Sequence, residues 1–303
     1  MGTLQVSQVR VHAFGRTCHI IVDNTDGRGE EYLSLCKAEL LRLERKFSAF
    51  DPDSIISRLN QCAGTGSFVA TDGETNSLFD FTNALWSESK HVFDPTTRIL
   101  DNCYDSDGRL RASREQVNGI LKLVGLQHLQ RSDAGVHLAR KGMVMDLNSC
   151  VRPFAVDCLR KLLCKHEARH ALIEMDADIA TIGKQQGGAN WLVGIRLPQG
   201  TRATITRLKL NDRCFAMRGN FERATIEDGE RYGRALSPID GQPIPGLLGV
   251  GVTADSCLEA CSAASIARLK TEAAGLKWLD SLGLPWVAIG RDLRCHGPLA
   301  PWS

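Results

Sequence analysis

The sequence predicts an α+β fold forming one compact domain over residues 1–303, with antiparallel-rich sheets and flanking helices. Three observations lead there. Helical periodicity dominates between Glu30 and His166, whereas β-type runs crowd the chain after Ala171. The later runs follow one another without intervening helices, so the pattern is segregated blocks and not alternating βα units. No linker, repeat or low-complexity segment divides the chain.

The elements read in order as follows. Val9 to Val22 holds two short β-type runs broken at Gly15. From Glu30 to Phe47, Leu33, Cys36, Leu40, Leu43 and Phe47 share one helical face. A turn at Pro52 precedes a short helix that Asp53 or Ser54 can cap. A further helix spans Glu74 to Lys90 and stops at the "FDPT" turn, and another spans Ser113 to Val124. Three short strands lead to Asp146, and a helix begins near Pro153, a favoured first-turn residue, and runs to about His166. Then come "ALIEMD", "IATIG", "WLVGIRL", "RATITRLKL" and "RCFAM" as strands. Arg231 and Tyr232 form a strand-like run before the turn "SPIDGQP". The chain closes with a strand near Val250, helices from Ser256 to about Leu282, and the strand "PWVAIG".

Composition narrows the function. The net charge of +2 is too small to argue for a nucleic-acid or membrane partner, and no window approaches the ~18 apolar residues of a spanning helix. The first residues carry no apolar run of the signal-peptide kind. The 11 cysteines are odd in number and make no CxxC pair, which fits reduced thiols and a cytoplasmic location. Cys257 and Cys261, four apart on a predicted helix, read as small buried side chains and not as a metal pair.

Two motifs invite chemistry and are better read as structure. "HEARH", His166 to His170, matches the zinc-protease pattern, which needs one continuous helix through both histidines. Here the apolar helical face stops at Cys164 and a strand starts by Ala171, so no zinc is expected. "QQGGAN", Gln185 to Asn190, is flanked by strands and reads as a hairpin connection. Arg202, Arg207, Lys209 and Arg213 alternate with apolar residues, as on a solvated strand face.

The order of short motifs carries a resemblance. "LLRLERKFSAFDPDSIISRLNQ", "HVFDPTTRIL", "MDLNSCVRPFAVDCLRKLL", "ALIEMDADIATIG", "FAMRGNFER", "RYGRALSPIDGQPI" and "CLEACSAASIARL" resemble, in order, the motifs of the FAD:protein FMN transferase (ApbE) family. The resemblance runs from about Phe14 to about Ile289. It implies a pocket that holds FAD with Mg²⁺, and attack by a threonine of a target flavoprotein on the pyrophosphate. Such chemistry needs a cation for the phosphates, a base near the hydroxyl and close backbone approach.

Carried over position by position, the scaffold is kept and the chemistry is not. Phe93, Asp94, Thr96, Asp146, Asp157, Asp178, Gly219, Gly241 and Pro243 match the family pattern. The family histidine falls on Arg234, which cannot act as a base near neutral pH. Its neighbouring aspartate and threonine fall on Ser237 and Asp240. The metal-binding aspartate and threonine fall on Glu259 and Ala263, the lysine on Arg152, and the adjacent glycine on Pro153. The double glycine becomes Asp176 and Ala177, and the serine of the T-S-G motif becomes Arg218. Phe14 and Phe50 stand at a methionine and a tyrosine position.

The resemblance thus implies FAD as the ligand, contacted by Phe14, Phe50, Phe93, Asp94, Asp146, Arg152, Asp176 and Arg218, with an eroded Mg²⁺ site at Glu259. The favoured expectation is a chain impaired or inactive as a transferase and retained for binding or assembly. In it Arg152, Arg218 and Arg234 would meet Asp176 and Asp240 in the cleft. The alternative is weak transfer or FAD binding in a rebuilt site, with arginines and Glu259 in place of the lost groups. A protein partner, a flavoprotein or an assembly factor, is expected; nucleic acid and membrane insertion are not.

Overall fold

The computed structural model describes residues 5–105, 109–196, 204–219, 225–227, 230–232, 235–244 and 246–300. The chain opens with β1 (Val6–Ala13) and β2 (Arg16–Asp23), then α1 (Gly29–Phe47), α2 (Ile55–Gln61), α3 (Gly73–Glu88) and α4 (Arg114–Leu121). Next come β3 (Leu129–Ser132), β4 (Gly135–Leu138), α5 (Asn148–Lys165), β5 (Ala171–Met175), β6 (Asp178–Ile182), β7 (Trp191–Arg196), β8 (Thr204–Leu210) and β9 (Cys214–Gly219). After β10 (Thr225–Glu227) and β11 (Glu230–Tyr232), the chain ends with β12 (Gly249–Ala254), α6 (Cys257–Arg268), α7 (Glu272–Ser281), β13 (Trp286–Ile289) and β14 (Cys295–His296).

Eight strands form the central sheet in the order β1-β2-β5-β6-β9-β12-β13-β14. Every neighbouring pair is antiparallel. One face carries the helices. The α1 stripe predicted from periodicity is buried throughout, from Leu33 to Phe47, and packs with α5 residues such as Val156 and Leu159 against β2 and β5. Farther along, α6 and α7 cover β12 and β13 through Ala260, Ala264, Ala267 and Leu279. On the opposite face the β7–β8 ribbon lays Trp191, Val193, Ile195, Leu208 and Leu210 over Ile179, Phe215 and Val287. Arg207 and Lys209 point outward from β8, as their alternation predicts; Arg202 lies outside the described residues.

Four expectations need correction. The helix expected from Pro153 begins five residues earlier at Asn148, so Pro153 sits inside it. Two strands, β3 and β4, precede Asp146, not three. Gln185–Asn190 is no hairpin, because β6 and β7 belong to different sheets; the segment folds on itself through Gln185 N–H to the Ala189 carbonyl (2.7 Å) and crosses between layers. A last strand, β14, follows "PWVAIG". The reading of "HEARH" as a helix exit holds. The helix ends at Lys165, Glu167 takes a positive φ of 64°, and His170 Nδ1 lies 2.5 Å from the Lys184 carbonyl. Among the described residues no helix is long and apolar enough to cross a membrane.

An ionic seam fastens α1 to α3. Lys46 Nζ reaches Asp72 at 2.6 Å and Glu74 at 2.5 Å, while Arg42 bridges Glu39 and Glu74. Lys46, with help from Thr75, holds the Asp72 carboxyl well below the usual range, and Arg42 with Lys46 lowers that of Glu74 against burial. Depressed carboxyl pKa values add stability that is complete above the unfolded values near 4 and is lost as pH falls through the folded ones. The urea midpoint is therefore expected to drop between about pH 5 and pH 2, and Lys46→Met to flatten that slope. An unchanged slope in the variant would show that the seam contributes nothing.

Candidate functional site

The antiparallel order brings several turns to one end of the sheet. Between β1 and β2, Phe14 and Gly15 both take positive φ (53° and 70°), as a tight two-residue hairpin requires. Phe14 is buried, and its N–H donates to Glu44 Oε1 at 2.8 Å. Between β5 and β6, Asp176 takes a φ of 59°, the left-handed region that aspartate tolerates better than most residues. Since β2, β5, β6 and β9 are consecutive in the sheet, Arg16, Asp176, Asp178 and Arg218 gather there. The first turns of α5 add Arg152 from the helical layer.

These groups form an ionic cluster. One Arg218 nitrogen, Nη2, lies 2.6 and 2.8 Å from the two oxygens of Asp178, whose side chain is 2% exposed. Asp176 Oδ2 is shared by Arg16 Nε at 3.3 Å and Arg152 Nη1 at 3.5 Å. Burial pushes the Asp178 carboxyl up, against the opposing pull of Arg218 and Arg152. Burial pushes the Arg152 guanidinium down, and the charges of Arg16 and Arg218 add to that. Arg268, at the end of α6, is pushed down to about 10 by burial and by the charge of Arg218. The Nε atoms of Arg152 and Arg268 are buried without a hydrogen-bond partner among the described residues. Among the described residues, Arg16, Arg152 and Arg218 face two carboxylates and Arg268 lies near enough to feel the charge of Arg218, so this set is positive.

The α5–α6 contact completes the site. Asp157 on α5 accepts from the N–H groups of Cys257 (2.7 Å) and Leu258 (2.9 Å), fixing the start of α6 with two of its otherwise orphaned donors. One turn on, the Cys261 thiol donates to the Ser149 carbonyl at 3.2 Å and lies 3.8 Å from Ser265 Oγ. That carbonyl is free because Pro153, four residues later, has no N–H to offer it. Burial pushes the Cys261 thiol up, so it remains a protonated donor.

Glu259, by contrast, is exposed on the first turn of α6, and Ala263 is buried in apolar packing. The α6 residue that reaches the cluster is Cys261, beside Arg218, with Ser265 next to it; the two lie two positions beyond the residues read from the sequence. A carbonyl, a neutral thiol and a hydroxyl beside a guanidinium do not suit Mg²⁺, which takes oxygen ligands in near-ideal octahedra. The donor set does not fit that ion.

The other candidates have defined places. Phe50 is exposed, with the Arg98 guanidinium 5.7 Å from its ring centre, and Arg98 pairs with Asp146 at 2.7 Å. Asp146 also accepts from the Asn148 N–H at 2.8 Å, shaping the entry to α5. Asp94 lies inside the fold, its oxygens taken by Trp86 Nε1, the Thr96 N–H and hydroxyl, and the Leu126 N–H. Phe93 is buried, and its N–H bonds Ser89 Oγ. In the 235–244 turn, Asp240 is exposed, and the Gly241 carbonyl accepts from the Tyr104 hydroxyl at 2.6 Å. The Asp240 carboxylate accepts from the Gln242 N–H, and among the described residues it pairs with neither Arg152 nor Arg218, against the expectation that it would meet them. Arg234 lies outside the described residues.

The family model of the ApbE family matches residues 14–297. The chain belongs to the ApbE family. It is 25% identical over 222 residues to the FAD:protein FMN transferase of Klebsiella pneumoniae (strain 342), covering 72% of this chain and 64% of that protein. With the FAD:protein FMN transferase of Treponema pallidum (strain Nichols) it shares 31% identity over 117 residues, 36% of this chain and 32% of that one. The matched region is thus under two thirds of either relative's length. The fold is that of the ApbE protein of Thermotoga maritima, with a TM-score of 0.83 at 23% identity and 97% of both chains covered. The apo flavinyl transferase ApbE of Pseudomonas stutzeri gives the same TM-score and identity over 96% of this chain and 94% of that one.

Within this ApbE-family fold, Arg152, Asp176 and Arg218, named from the sequence, come together with Arg16, Arg268 and Cys261, which the sequence reading did not name as site residues. The i, i+4 spacing of Cys261 and Ser265 was the available signal, since it puts both on one helical face. Arg16 and Arg268 carried no signal, because only the strand order and the exit of α6 bring them to the others.

Proposed function

We propose that this chain binds a dinucleotide with a phosphoanhydride, flavin adenine dinucleotide foremost, through guanidinium groups without Mg²⁺, and does not transfer FMN. The carrying observation is the positive cluster of Arg16, Arg152, Arg218 and Arg268, with two buried Nε donors still to be satisfied. Guanidinium suits phosphate oxygens through directed, charge-assisted hydrogen bonds. A phosphoanhydride would supply the missing negative charge and acceptors, relieving the mutual repulsion of the arginines. FAD, when bound, would supply the pyrophosphate and the flavin ring.

Loss of transfer rests on two features. The resemblance puts the family's base position on Arg234, which stays protonated, and the α6 donor set does not suit Mg²⁺. The exposed place of Glu259 favours this reading over a rebuilt Mg²⁺ site. A flavoprotein or assembly factor as partner belongs to the same proposal, since a chain that holds FAD without transferring it acts by presenting or sequestering it.

The test is a flavin-fluorescence titration of the metal-free protein with FAD, repeated with excess Mg²⁺, alongside an assay for AMP release. Saturable binding whose midpoint is the same with and without Mg²⁺, and no AMP, is the expected result. Binding strengthened tenfold or more by Mg²⁺, or AMP release with a threonine-bearing flavoprotein, would overturn the proposal, as would no binding at all.

A further inference from the structure

At the far edge of the sheet, the β13–β14 hairpin brings together three groups that the flavin reading does not use. The hairpin loop closes through the Gly290 N–H to the Arg294 carbonyl (2.9 Å) and the Leu293 N–H to the Gly290 carbonyl (3.0 Å). This aims Asp292 and His296 toward Glu272, the first residue of α7. One ligand atom each of Glu272, Asp292 and His296 lies within 4.8 Å of the others. We propose that these three side chains form a binding site for one divalent transition-metal ion of the Mn²⁺ to Zn²⁺ group.

Independent features of the loop support it. A Cβ on Gly290 would lie 2.8 Å from Asp292 Oδ1, 2.8 Å from Glu272 Oε1 and 3.3 Å from His296 Nε2. The space among the three ligands is open only because residue 290 has no side chain. His296 Nε2 is buried without a hydrogen-bond partner among the described residues, and buried polar atoms left unpaired are rare. An imidazole nitrogen beside two carboxylates is a set of metal-ligating atoms around one space. The backbone holds the carboxylates in place: Glu272 Oε2 accepts from the Arg291 N–H (3.1 Å) and Asp292 Oδ1 from the Arg294 N–H (2.9 Å).

Chemistry selects the ion class. Imidazole favours Mn²⁺, Fe²⁺, Co²⁺ or Zn²⁺ over Ca²⁺ and Mg²⁺, and the absence of thiolate in the set disfavours Cu⁺. Bonds of about 2.1 Å put neighbouring ligand atoms about 3 Å apart, so the side chains must draw in by one to two ångströms at most. Asp292 is also paired with Arg294 Nε at 3.3 Å, but Arg294 is 82% exposed and is a weak competitor. The bound ion would clip the C-terminal hairpin to the start of α7. The site shares no residue with the arginine cluster, and β12 and β13 stand between it and Arg218 on β9.

Mn²⁺ is the probe of choice, because the scattered thiols bind it poorly. In an electron paramagnetic resonance titration of the chelator-treated full chain, one Mn²⁺ per chain is expected to bind. Glu272→Gln, a near-isosteric change, and His296→Ala are each expected to weaken it tenfold or more, with unchanged circular dichroism to confirm folding. Binding should also raise the unfolding midpoint of the wild-type chain and leave that of both variants in place. No bound Mn²⁺ at millimolar concentration would overturn the proposal. So would an isotherm that both variants leave untouched, or one abolished by Cys261→Ala in their place.

Discussion

Asp178→Ala is expected to lower the unfolding free energy by about 3 kcal/mol, the low end of the cost of breaking a buried ion pair. The reason is asymmetry. Removing Asp178 takes away both acceptors of Arg218 Nη2 and leaves that guanidinium among Arg152 and Arg268 with no countercharge of its own. The low end applies because Arg218 keeps a fifth of its side chain exposed, and water screens part of the loss. Removing the other partner, by Arg218→Met, is expected to cost less. Burial already pushes the Asp178 carboxyl up, so it can take a proton once the guanidinium is gone. Urea denaturation of both variants measures the difference. Equal losses, or a negligible loss for Asp178→Ala, would show that the pair is not what holds β6 and β9 together at this end.

Arg152→Met carries the second large effect, on binding and not on stability. FAD affinity is expected to fall roughly ten- to a hundredfold, the value of a hydrogen bond to a charged group. Stability should change little, because Arg152 makes only a 3.5 Å contact with a half-exposed Asp176 and is itself disfavoured by burial. The same fluorescence titration decides it. An affinity equal to that of the wild-type chain would remove Arg152 from the phosphate site and weaken the anion reading as a whole.

Much of the fold was legible because its signals are local. The α1 stripe from Leu33 to Phe47, and a cap at Asp53 or Ser54 that Ser54 supplies, need only their own neighbours to be recognised. Signals failed where tertiary context decides. Pro153 looked like a helix start because proline is favoured there, yet its missing N–H is tolerated mid-helix because another segment uses the freed carbonyl. Gln185–Asn190 had the residues of a hairpin turn, but whether its flanking strands pair with each other is a question of layers and not of composition. In the site, charged residues were found where they replace a recognisable motif residue, as at Arg152 and Arg218. Arg16 replaces nothing and joins only because β2 lies beside β5. Glu259 drew attention as a carboxylate in the right segment, while helical geometry gives the inward place to Cys261.

The freed carbonyl of Ser149 has a consequence for how this chain can vary. An amide at position 153 would compete with the thiol at 261 for that oxygen. Ser149 and Cys261 are 112 positions apart, yet a proline in one helix sets the use of a side chain in the other. Changes at 153 and 261 therefore cannot have additive free energies. Drift at either position is answerable to the other: an ordinary helical residue at 153 would leave the buried Cys261 thiol to share its acceptor or turn to Ser265.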